Sequence, residues 1–97
     1  MTLITEPYLI TEDELATKIK SIKNNPDTDL IIISASHNRQ ADGWVVLITH
    51  TQIDLKKSHL YKIKVRDEIR EKSYKNLDVL VERMKKKGAE TVVINLI

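Results

Sequence analysis

The chain has 97 residues, a formal net charge of +2, 41% hydrophobic and 31% charged residues. That is enough for one domain with a modest core, and no apolar run approaches the roughly 18 residues of a membrane-spanning helix. Zero cysteines exclude disulfide scaffolds, thiol catalysis and cysteine-based zinc sites. The first fourteen residues hold no Lys or Arg, a pattern unlike a signal or transit peptide, so a cytoplasmic location is the expectation.

Leu3 to Ile10 has strand-type content broken by Pro7, which cannot donate to a ladder; the segment reads as an edge strand or an extended arm. Thr11 and Glu14 then form a capping-box pattern. The helix that follows, over about 12–24, places Leu15, Ile19 and Ile22 on one stripe and stops before Pro26. Leu30 to Ile33 and Val45 to Ile48 are continuous apolar runs separated by a polar turn ending in Asp42-Gly43, which predicts a hairpin. After a second turn, Tyr61, Ile63 and Val65 alternate with Lys62, Lys64 and Arg66, so one face of this strand is basic. A helix is predicted over about 70–87, with Ser73 as a candidate N-cap and Leu77, Leu80, Val81 and Met84 as its apolar stripe. Lys85 to Lys87 suit its last turn, and Gly88 suits its stop. Val92 to Ile94 read as a buried strand.

These elements make a single α+β domain over residues 1–97, in the order β-α-β-β-β-α-β. The predicted antiparallel meander (about 29–36, 43–52 and 59–66) is packed by two helices. Continuous apolar strands are usually covered on both faces. Either one helix lies on each face and covers the sheet in a monomer, or both share one side and leave the other open; the second arrangement leads to the expectation of a homodimer. Its candidate interface is Ile31, Ile33, Val46, Ile48, Val93 and Ile97.

Charge is unevenly placed. Residues 1–45 carry four cations and seven anions, whereas residues 46–97 carry twelve and seven. Contact with nucleic-acid phosphates is one functional expectation, through Lys56, Lys57, Lys62, Lys64, Arg66, Arg70 and Lys72, with Tyr74 as an exposed aromatic. A protein-binding adaptor or inhibitor using the apolar sheet face or a strand edge is the other. His37, His50 and His59 lack metal-ligand spacing, and Asp54, Ser58 and His59 are better explained by a turn than by a hydrolase triad. Neither Gly43 nor Gly88 sits in a phosphate-loop context. The composition therefore leans away from an enzyme, and no metal or cofactor is expected.

From Thr11 onward, the order helix, three strands, helix, strand resembles the restriction-endonuclease-like nucleases, including archaeal Holliday-junction resolvases. In that family an acid on the second strand and an acid-x-Lys on the third bind metal. Asp42 and Lys64 match two of those positions, but Lys62 stands where the other acid belongs, so the resemblance implies an inactive, degenerate nuclease. The helix–three strands–helix portion is also similar to small signal-recognition-particle proteins and double-stranded-RNA-binding domains, without their signature residues.

Overall fold

The computed structural model describes residues 2–3, by backbone alone, and residues 7–96. Its elements are β1 (Thr2–Leu3), β2 (Tyr8–Ile10), α1 (Glu12–Lys23), β3 (Asp29–Asn38), β4 (Gly43–Gln52), β5 (Lys57–Ile63), α2 (Leu77–Lys86) and β6 (Val93–Asn95). All six strands join one mixed sheet in the order β1-β5-β4-β3-β6, with β2 also pairing β5. The α+β class and the central antiparallel meander hold. The strands at either side run parallel to their neighbours: β1 and β2 along β5, β6 along β3.

The first helix follows its local chemistry closely. Thr11 Oγ1 accepts from the Glu14 amide and Glu14 Oε1 accepts from the Thr11 amide, both at 3.1 Å, so two otherwise unpaired donors are satisfied reciprocally. Leu15, Ile19 and Ile22 are buried as their spacing requires. At the end of α2 the Gly88 amide donates to the Lys85 carbonyl and the Ala89 amide to Met84, with Gly88 at φ 102°. That pair of bonds around a left-handed glycine is a Schellman stop.

The start of α2 differs from the expectation. The helix begins at Leu77, capped by Asn76, whose Oδ1 accepts from the Asp78 amide at 2.8 Å. Ser73 does not cap it, and Ile69 is 94% exposed, not part of a helical stripe. The reason lies in the sheet. β5 ends at Ile63, earlier than the predicted Arg66, and leaves the N-terminal end of β4 without a neighbour on that side. The chain turns through residues 65–70 and returns beside it. Lys64 bridges Glu71, the Lys72 amide donates to the Ile63 carbonyl, and Trp44 and Tyr74 exchange both backbone hydrogen bonds. Residues 72–74 thus continue the row that β5 abandons, and backbone pairing outweighs their helical periodicity.

Cross-strand register decides the two faces. Ile33 opposes Ile48, Ala35 opposes Val46, and Ile48 opposes Tyr61. These residues form one cluster with Ile10, Ile63, Leu15 and Ile19 of α1, and Leu80 and Met84 of α2. Both helices therefore cover the same face. The other face carries the alternate residues: Leu9, Leu30, Ile32, Val45, Leu47, Leu60 and Val93. Leu30, Ile32 and Val93 are 50%, 47% and 46% exposed.

Of the two arrangements the sequence allows, both helices share one side, but most of the residues expected on the open face lie in the opposite phase. Ile33, Val46 and Ile48 are buried and Ile31 packs against the core, so none of the four can line an outer interface. Val93 does lie on the open side, and Ile97 is outside the described residues. In a run such as Leu30-Ile31-Ile32-Ile33 both phases are apolar, and a slip of one residue exchanges them all.

Gly43 shows how closely the resumed row packs on β4. A Cβ at this position would lie 2.7 Å from the Tyr74 carbonyl oxygen. Gly43→Ala is therefore expected to lower stability by about 1–3 kcal/mol, which for a chain of this size lowers the melting temperature by roughly 5–20 °C. Differential scanning calorimetry measures it, and an unchanged melt would contradict the close approach.

Candidate functional site

Two surfaces stand out, one polar and one apolar. The polar one is organised by Glu12, the first residue of α1, whose side chain is in phase with Leu15 and Ile19 and so points inward. The residue is only 8% exposed. Arg83 of α2 binds it in a fork, with Nε 2.9 and 3.0 Å from the two oxygens and Nη2 at 2.7 Å. Lys72 Nζ donates to it at 3.2 Å, and the Tyr74 hydroxyl donates to the same oxygen as Lys72. Burial alone would raise the Glu12 pKa, but the donors from Arg83, Tyr74 and Lys72 outweigh it and hold the group at about 2. The same environment pushes the Tyr74 hydroxyl up, through burial and the adjacent carboxylate.

Around this hub lies a cavity of about 480 Å3, lined by Thr11, Glu12, Asp13, Lys64, Arg66, Asp67, Lys72, Arg83 and Lys87. Lys87 Nζ donates to Asp13 at 2.8 Å and holds that carboxyl below its ordinary range. Among the described residues Lys64 and Arg66 have no ion-pair partner.

The predicted nucleic-acid residues are thus divided among several places. Lys64, Arg66 and Lys72 meet at the cavity. Lys62 lies on the open sheet face, 3.7 Å from Glu71. Arg70 pairs with Glu68 in the exposed turn at 2.8 Å. Lys56 and Lys57 sit at the opposite end of β5, Lys56 in the turn with φ 51°. Tyr74 is not an exposed aromatic: its ring is buried in the core and its hydroxyl is bound to Glu12. The lysines flanking it in sequence suggested a solvated site, but strand-like backbone pairing with Trp44 turns it inward.

Sequence reasoning missed Glu12 and Arg83 as a pair. A signal existed, since Glu12 falls three residues before Leu15 on the apolar stripe and Arg83 three residues after Leu80. Charges in phase with a core stripe on two separate helices point to mutual neutralisation inside.

The histidines are distributed differently. His50 and His59 face each other across β4 and β5 with ring centroids 6.2 Å apart. His50 Nε2 contacts Asp29 Oδ1 at 3.0 Å and His59 Nε2 contacts Gln52 Oε1 at 3.2 Å. His37 packs edge-on against Trp44. No cluster of three or more His, Asp or Glu side chains suited to a metal occurs among the described residues. Asp42, the nuclease-like acid, occupies the β3–β4 turn at φ 49°. Among the described residues no helix is long and apolar enough to cross a membrane.

The second surface is the open sheet face, and its composition is nearly free of charge. Among the described residues Lys62 is its one cation on the paired strands, opposite Leu9 and Leu47 and two residues from Leu60. No protein-family model, curated protein or solved structure matches the chain, so these two surfaces are the guides to function.

The Glu12 hub makes stability depend on pH. A depressed folded-state pKa means the contribution is present above the ordinary value of 4.5 and is lost as pH falls towards 2. The displacement corresponds to about 3 kcal/mol. The melting temperature should fall steeply between pH 5 and 2, and Glu12→Gln should flatten that part of the profile while costing about 3 kcal/mol at pH 7. A variant with the wild-type pH profile would remove Glu12 from this role.

Proposed function

We propose that the protein is a non-catalytic protein-binding module whose working surface is the open face of its sheet, and that a second copy of the chain occupies that face. The observation that carries this reading is a five-strand-wide face presenting Leu30, Ile32, Leu47, Leu60 and Val93 with neither helix over it. Five strands spaced about 4.8 Å apart and some six residues of about 3.3 Å each give on the order of 500 Å2 per copy. A pair would bury about 1,000 Å2, the lower end of specific interfaces. Self-association is also favoured by the lack of charge. A two-fold axis sets a patch against itself, so like charges would oppose each other; here Lys62 is accompanied by Glu71.

Sedimentation equilibrium between about 1 and 500 μM tests the reading, because a micromolar dissociation constant populates both species in that range. The expected mass rises from 11.2 kDa towards twice that value. Leu47→Lys, in the middle of the face, should hold the chain at the single-copy mass without lowering its melting temperature. A wild-type chain that stays at the single-copy mass throughout would reject self-association.

A further inference from the structure

We propose that the cavity beside Glu12 is a binding site for a phosphate dianion carried on a small molecule, separate from the sheet face. Five cations line it: Lys64, Arg66, Lys72, Arg83 and Lys87. Against them stand the carboxylates Glu12, Asp13 and Asp67. The lining therefore has an excess of two positive charges, the complement of a terminal phosphate rather than of a singly charged phosphodiester. The acids are largely engaged. Glu12 holds Arg83, Lys72 and Tyr74, and Asp13 holds Lys87.

Those internal bonds leave donors to spare. Arg83 spends Nε and Nη2 on Glu12 and retains Nη1, while Lys72 has three N–H groups and one contact to Glu12. Glu12 thus acts as a positioning residue: it removes rotamer freedom from two cations before any ligand arrives, which lowers the entropy lost on binding. Lys64 and Arg66 have no ion-pair partner within 4 Å among the described residues; Arg66 acts on Asp13 at longer range and Asp67 lies on the same wall, so the two cations are offset only in part. The cations come from the end of β5, the turn after it, the resumed sheet row and α2, so they converge only in the folded chain. The positive end of the α1 dipole, at Thr11 to Asp13, lies on the same wall.

The test uses the full chain, isotopically labelled, at pH 7.5 and about 50 mM salt, a concentration at which phosphate contacts are weakly screened. Inorganic phosphate, pyrophosphate and a short single-stranded oligonucleotide with hydroxyl ends are titrated separately while amide resonances are followed. Pyrophosphate should give saturable shifts at residues 11–13 and 64–67 with a dissociation constant below about 1 mM. Inorganic phosphate should shift the same amides. The double substitution K64A/R66A should weaken binding at least tenfold, and K64R/R66K should restore it. If K64A/R66A lowers the melting temperature, R66E in the exposed turn serves instead, with the same loss expected. The oligonucleotide should bind at least tenfold more weakly than pyrophosphate. Absence of saturable shifts, wild-type affinity in the substituted chains, or an oligonucleotide binding as tightly as pyrophosphate would each overturn the proposal.

Discussion

Among the described residues, the carboxylate of Glu12 is the one buried polar link between α1, the resumed sheet row and α2. It sits at the first turn of α1, and its partners lie in the resumed sheet row (Lys72, Tyr74) and on α2 (Arg83). Burying one charge is costly unless the site is fully hydrogen-bonded. Four donor groups making five contacts to two oxygens meet that condition, and they meet it only when both helices and the 72–74 segment are in place. Apolar packing between the helices and the sheet is tolerant of sliding, whereas a forked arginine–carboxylate pair is not. The angle between the helices and the point where the chain re-enters the sheet are therefore tied to one side chain.

Local chemistry made part of this fold legible from sequence. The Thr11–Glu14 capping box, the Pro26 stop and the Gly88 stop depend on residues within one turn of each other, and each appears where the residue types place it. The phase of β3 and β4 was not legible, because Leu30 to Ile33 and Val45 to Ile48 offer apolar residues to both faces. The start of α2 was hidden for another reason. Ser73 and Tyr74 fit a helix locally, but the vacant side of β4 at Trp44 offers Tyr74 two backbone hydrogen bonds, and that vacancy exists only after β5 has ended early. The same long-range event buried Tyr74 and brought Lys72 to Glu12, so the basic residues regrouped from a strand face into a cavity wall. Element count allowed an open apolar face as one of two arrangements, the other being a helix on each face, and only the packing of both helices on one side decides between them.

The two surfaces have opposite physical character. The sheet face is broad, apolar and nearly uncharged, suited to contacts whose strength comes from area and changes little with salt. The cavity is concave and polar, and most of its charges are held by internal pairs, so its selectivity would rest on the three left over, Lys64, Arg66 and Asp67. They are built on different elements: β3, β4 and β5 supply the middle of the face, while the chain after β5 and the two helices supply most of the cavity. Occupancy of one need not disturb the other.

Strand order also sets a sequence of assembly. The β3–β4 and β4–β5 connections are short turns, so the meander can close with little loss of chain entropy. The edges are different: Tyr8 meets Tyr61 and Val93 meets Ser34, each pairing joining positions separated by more than half the chain. Contacts at such separation form late, after the centre has supplied a template. The short parallel strands β2 and β6 are consequently the first parts released when the native state opens, and amide exchange would run inward from them. A protein whose two sheet edges come loose while its centre stays shut has a built-in order of exposure, in which backbone becomes available to other chains well before the core does.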